Sequence, residues 1–185
     1  MQKKILIFKD ENYNLKTTFN MLSLIFVFSG IFGFIYETIF YRLDLGYFVK
    51  RGSTFGPWIP IYAFGGILIT LISYRFKKKP ILVFVTNCII TGILEYLTGW
   101  FLYNFCNGLR LWDYNIEILN FGNINGFICA RSILFFGISG LLLIYTMIPI
   151  FKKILNKISE RKISIISTIL LISFVLDMVL FMILK

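Results

Sequence analysis

The stretch PILVFVTNCIITGILEYLTGWFLYN, residues 80–104, decides the fold. It opens on a proline and carries a single charged side chain, Glu95, among Ile, Leu, Val, Phe, Tyr and Trp. A helix crosses a bilayer with about 20 predominantly apolar residues rising about 1.5 Å each, and this run supplies them. Pro80 suits the first turn, where its missing N–H would have no intrahelical partner. Working outward, further apolar runs lie at about 19–42, 59–76, 124–151 and 163–184. The run at 59–76 is the shortest and contains Gly65 and Gly66. The expectation is an all-α fold, a polytopic membrane helix bundle with about five transmembrane helices. A polar N-terminal arm at 1–18 precedes a single transmembrane domain at 19–185.

Composition agrees with this. The chain is 58% hydrophobic and 15% charged, whereas soluble domains carry about 25% charged residues. Its mean hydropathy is +0.81. A formal net charge of +10 would suggest nucleic acid in a soluble protein. Here the basic residues sit in short clusters between apolar runs, so the expected partner is the lipid bilayer and not nucleic acid. Histidine is absent, which removes the commonest general base and metal ligand. Cys88, Cys106 and Cys129 lack metal-type spacing. No cofactor, metal or catalytic centre is expected. Lipid chemistry through Glu95 or Asp113 is a lesser alternative.

The basic clusters set the orientation. Thirteen of the 19 Lys and Arg residues fall in the arm, the turn Arg75–Lys79 and the connector at 152–162. Cytoplasmic loops are enriched in these residues, so the N-terminus is expected inside and the C-terminus outside. Trp58, Trp100 and Trp112 then fall near the outer interface, as an aromatic belt would place them. The first apolar run is too long for a signal-peptide core and is expected to remain as a helix. The outward loops, about 43–58 and 105–123, are rich in aromatic residues, glycine and asparagine. Such loops dip into the interface, cap a cavity, or simply cover the surface. Gly33 before Glu37 and Gly92 before Glu95, each followed by an aromatic loop, also hint at a parallel duplication of the kind found in transporters.

Ionisable groups inside a span are costly and usually face the bundle interior. Glu37, Glu95, Arg131 and Asp177 are the four that stand out. At about 1.5 Å per residue, Glu95 and Asp177 lie roughly 21 Å above the inner ends of their helices. Arg131 lies roughly 10 Å below the outer end of its own. All four are expected to share a layer in the outer half of the bilayer. Arg131 can form a bidentate pair with one carboxylate, and a remaining carboxylate has the chemistry of a proton, cation or cationic-solute site. The alternative is a staple between two helices, with Glu37 and Asp177 reaching toward the headgroups. Asn87 and Thr91, on the face leading to Glu95, either line a polar path or make ordinary interhelical hydrogen bonds. Ser29/Gly33 and Gly137/Gly140 have close-packing spacing and are expected to let helices approach.

The segment Lys50-Arg51-Gly52-Ser53-Thr54-Phe55-Gly56-Pro57-Trp58-Ile59-Pro60-Ile61-Tyr62 resembles the RG…GP…PIYG segment of the ABC-transporter type IV (CmpB) family. Leu94-Glu95-Tyr96, Leu111-Trp112-Asp113-Tyr114 and the run Asn120 to Cys129, including Gly126, are similar to its LEY, WWDYS and FNIxGRIC elements. Gly33 and Glu37 fit its first-helix G…E element. The resemblance covers about residues 29–142. Leu111, Asn115, Tyr103 and Phe127 depart from the family's tryptophan, serine, glutamate and arginine. Arg131 stands one turn after Phe127, and on a helix one turn returns to the same face. It is therefore expected to replace that arginine.

The resemblance implies a small multi-pass protein of the bacterial cell (inner) membrane, the permease part of a transporter. The chain has no G-x-x-x-x-G-K-[ST] loop, so any ATPase subunit would be a separate chain, held through the basic connector at 152–162. Pro57 and Pro60 would stiffen the chain around Trp58, and Gly56 allows a turn. Asp113 between Trp112 and Tyr114 either holds a cation with help from the rings or pairs with Arg110. The candidate binding residues are Glu37, Glu95, Arg131, Asp113 and Tyr62, covered by the two outer loops. Arg51, Gly52, Gly56, Pro57, Pro60, Trp112, Tyr114, Asn120 and Gly126 are the expected structural motif. The expected function is a permease-like protein that binds or passes a small solute or cation. The rival is a non-transporting membrane partner or regulatory subunit. A bundle this narrow would need a partner or a homo-oligomer to enclose a solute path.

Overall fold

The computed structural model describes residues 13–184; Lys3, Lys4, Lys9 and Lys185 lie outside them. Helix α1 spans Leu15–Leu45. Asn14 caps it, its side chain accepting from the Thr17 N–H at 2.7 Å, which satisfies one of the unpaired first-turn donors. Gly46 closes it in the left-handed region at φ 81°, a conformation that costs glycine little. Helix α2 is short, Pro60–Ser73, and runs into a 3₁₀ turn at Tyr74–Phe76. Helix α3 spans Pro80–Phe105 and opens on its proline as expected.

The fourth rod is continuous over Ala130–Lys157. It consists of α4 (Ala130–Leu142), a π-helical stretch (Leu143–Met147) and α5 (Ile148–Lys157). Pro149 cannot donate to the carbonyl four residues back and its ring crowds it. A widened turn just before it is the local solution. Helix α6 spans Glu160–Leu184. Four of these rods are long and apolar enough to cross a membrane, and Pro60–Phe76 is the shorter fifth.

The path of the chain differs from expectation at two places, although the second helix keeps its expected span. The fourth rod starts at Ala130, not near 124, because Ile124–Cys129 folds as a turn with Asn125 and Gly126 both at positive φ. The second difference explains why α2 is short. The segment 46–59 turns back beside α1, and the Ile59 N–H donates to the carbonyl of Gly30 at 3.0 Å. Gly30 is near the middle of α1, so α2 begins deep in the bundle. Non-helical backbone is tolerated at that depth only when its polar groups are paired within the protein. Trp58 descends with this segment and stacks on Phe174 of α6, centroids 4.8 Å apart. It is therefore partly buried and packs against the cluster of Val27, Ala63 and Phe174.

Helix α1 packs against α2, α5 and α6, and α3 against α2 and α4. The first five helices thus close a ring, with α6 on the flank of α1. One buried cluster, around Met21, Ile25, Tyr74, Val83, Ile148 and Phe151, fills the end of the bundle where α1 begins. Others, around Val27, Ala63 and Phe174 and around Ile59, Tyr62 and Phe136, sit higher. The small residues work by close approach. A side chain on Gly33 would strike the Tyr62 ring, and one on Gly140 would strike Asn87. At the same end, Asn20 of α1 donates to Ser164 at 2.9 Å and accepts from Ser167 at 3.0 Å. These bonds tie α1 to α6 where hydrocarbon offers no competing partner.

Candidate functional site

Glu95 lies on α3, 4% exposed. It accepts from the Ser132 hydroxyl of α4 at 2.8 Å and from the Tyr114 hydroxyl of the loop between α3 and α4. Both donors are neutral. Glu37, on α1, receives Arg51 Nε at 3.1 Å, and the Arg51 guanidinium lies 3.5 Å over the Tyr41 ring. Arg131, on α4, donates to Glu117 at 2.6 Å; the Tyr41 hydroxyl donates to the other Glu117 oxygen. The Arg131 guanidinium also sits 3.9 Å from the Phe40 ring centroid. Glu37 and Glu95 are each answered by the loop that follows its own helix: Glu37 by Arg51, Glu95 by Tyr114.

The loops reach these positions because they are internally braced. Tyr114 N–H donates to the Gly126 carbonyl at 3.1 Å, Asn120 Nδ2 to the Tyr114 carbonyl at 2.9 Å, and Trp112 Nε1 to the Phe127 carbonyl at 2.9 Å. Gly126 has φ 74°, and a side chain there would collide with Arg110, Asp113 and Asn115. Burial and the neighbouring Glu95 carboxylate push the Tyr114 hydroxyl well above the ordinary phenol pKa, so it remains a donor.

Between these groups lies a cavity of about 20 Å³, bordered by Tyr36, Glu37, Tyr62, Tyr114, Glu117 and Arg131, among others. One water needs roughly 10–15 Å³ of such space. Nε and Nη1 of Arg131 are buried with no hydrogen-bond partner among the described residues. A buried donor left unpaired costs about 1–3 kcal/mol, so a water or an ion's hydration oxygen is the natural complement. Tyr62 packs in the space left open by Gly33 and, with Glu37, borders this cavity.

Several expected residues take other places. Asp177 does not join this cluster. It accepts from the backbone N–H groups of Phe55 (2.9 Å) and Gly56 (2.7 Å) and from Trp58 Nε1 (2.6 Å). It is the group that pairs the descending backbone, and Gly56 must be glycine because a side chain would meet Asp177 and the Trp58 ring. Asp113 accepts from Asn115 N–H (3.0 Å) and Nδ2 (2.7 Å) and from Arg110 at 3.4 Å, the local pairing foreseen as its alternative. Phe127 is not helical, so the one-turn argument linking it to Arg131 fails. The Phe127 ring instead lies 4.7 Å beneath the Arg110 guanidinium. Thr91 bonds back to its own helix at the Asn87 carbonyl. Asn87 is fully buried, and its amide has no partner among the described residues. Glu117 was not singled out in the sequence. Its signal was a lone acid between Ile116 and Ile118, the pattern of a charge drawn inward.

No curated protein and no solved structure matches this chain. The model of one family does, over residues 24–182, from α1 to the end of α6. The chain belongs to the membrane-protein family described as "Putative ABC-transporter type IV".

Proposed function

We propose that this is a permease-like membrane protein whose outer-half cluster binds and passes a proton or a small cation. The observation that carries the reading is the contrast among its three buried acids. Glu37 and Glu117 each hold a guanidinium, whereas Glu95 accepts from the neutral hydroxyls of Tyr114 and Ser132. With every group ionised the cluster carries one negative charge in excess, located on Glu95. A proton or small cation in the water-sized cavity would neutralise it. The size of that cavity favours such an occupant over an organic solute. Tyr62, Arg131 and Glu37 line that cavity together with Glu117, Tyr114 and Ser132, the last two reaching Glu95 behind it, while Asp113 belongs to the supporting loop.

The basic ends of α5 and the connector, Lys152, Lys153, Lys157, Arg161 and Lys162, would receive a separate ATPase subunit if one energises the process. The bacterial cell membrane is the setting that fits this reading, and a second copy would complete an enclosed path. The test is ion flux in proteoliposomes carrying a pH- or cation-sensitive dye. Glu95→Gln should abolish flux, and Glu37→Gln should reduce it, with folding retained. Unchanged flux in both variants would sink the reading. One observation favours the rival, a non-transporting partner: all three acids are already hydrogen-bonded, as in a structural clamp. In that case the same variants would alter the proteins recovered with the chain and would leave flux at the level of empty liposomes.

A further inference from the structure

Beneath the charge cluster lies an apolar recess of about 200 Å³, walled by α1, α2 and the α4–α5 rod. Gly65 and Gly66 of α2 line it, and Gly66 lets α2 approach Ser29 of α1 closely. Ile35 and Leu142, 52% and 47% exposed, stand at its open side, which faces the hydrocarbon in a bundle of membrane-spanning helices. Its lower end is closed by Phe28 against Phe151, ring centroids 5.2 Å apart. Its upper end is closed by Tyr62 against Phe136, 5.0 Å apart. Those two side chains also border the water-sized cavity, so the recess and the charge cluster share a wall.

Shape and charge narrow the occupant. Along α1 the recess runs from Phe28 to Ile35, about 10 Å at the helical rise, too short for an extended lipid chain. Apolar cavities of roughly 150 Å³ accept a benzene ring, so this one suits a compact aromatic or alicyclic body. Its lining is rich in rings, Phe28, Phe32, Tyr62, Phe136 and Phe151, whose faces attract cations. Above the Tyr62 wall stand Glu37, Glu95 and Glu117 against two guanidiniums, Arg51 and Arg131. An anionic head would meet that excess negative charge, and a neutral ligand would gain nothing from it.

We infer that the recess admits compact lipophilic cations from the bilayer, their apolar body between α1 and α4 and their charge toward Tyr62 and Glu37. The recess is a second site beside the small-cation cavity proposed above, and it rests on that reading for the excess negative charge that orients its occupant. No transport step is required for it to hold.

The probe is benzyltrimethylammonium, compared with its uncharged carbon isostere neopentylbenzene. Both are measured by equilibrium dialysis against the protein in nanodiscs, with empty nanodiscs as the baseline. The expected result is saturable binding of the cation, at least about tenfold tighter than that of the isostere. Ser139→Phe fills the recess and Leu142→Trp covers its mouth; each should weaken cation binding about tenfold or more. Leu142 is exposed, so its variant keeps the test alive if Ser139→Phe fails to fold. Equal binding of the isostere would overturn the cation assignment. No saturable binding above empty nanodiscs, or unchanged binding in the folded recess variants, would overturn the site. Dye flux in the same preparations separates the two readings. Cation binding without flux leaves this inference standing and removes the transport role; flux lost in Glu95→Gln without cation binding does the reverse.

Discussion

Arg131 of α4 donates to Glu117 of the loop between α3 and α4 across 2.6 Å, and the two side chains are 12% and 5% exposed. The pair joins a loop to a helix within the bundle, so each charge depends on the other. Breaking a buried pair from one side typically costs about 3–5 kcal/mol. Glu117→Gln should lower the thermal midpoint accordingly, and Arg131→Met added to it should recover part of the loss. A double variant no better than the sum of the singles would mean that the two residues do not act as a pair.

Asp177 makes a different kind of contact. Its carboxylate pairs the N–H groups of Phe55 and Gly56 where the 46–59 segment runs beside α1. Hydrogen bonds to charged groups contribute about 1.5–3 kcal/mol each. Asp177→Ala should therefore raise amide hydrogen exchange at residues 55–59 selectively, with α3 and α4 unaffected. Uniform protection in the variant would show that this segment does not rely on Asp177.

Gly33 and Tyr62 bring α1 and α2 together without room for another atom. Gly33→Ala should cost about 1–3 kcal/mol through overpacking, and the displaced Tyr62 ring should perturb Glu37. Gly65→Ala is the control, since its added carbon would meet only Leu94, at 3.7 Å. Equal stability of the two variants would contradict the packing described.

Tyr114 reaches Glu95 from a loop, and burial together with that carboxylate holds its hydroxyl well above the usual phenol pKa. Its bond to Glu95 should therefore survive alkaline conditions that ionise exposed tyrosines. Tyr114→Phe should leave the fold intact while reducing flux several-fold. Spectrophotometric titration that found Tyr114 ionising with the exposed tyrosines would contradict this burial.

The membrane fold was legible because long apolar runs bounded by Pro80 and by clusters of Lys and Arg have few other readings. The descending 46–59 segment was not, because its residues resemble those of any outer loop; the short apolar run after it was the available sign. Depth along a helix placed Asp177 at the level of the other acids, but depth says nothing of azimuth, and Asp177 faces the loop instead. The partners Arg51 and Glu117 were hidden for a related reason. Loop residues far apart in sequence meet helix residues only through the fold, and Arg131 was matched only against acids within the spans. Asn87, by contrast, could be read from the sequence as a buried polar group without revealing what accompanies it.

The central claim is that Glu95 is the acid that changes state when a proton or cation occupies the cluster. Infrared difference spectroscopy, recorded on changing pH or adding cation, tests it most directly. The account predicts a carboxyl band in the wild-type difference spectrum that disappears in Glu95→Gln and persists in Asp177→Asn. A spectrum unchanged by Glu95→Gln would contradict it.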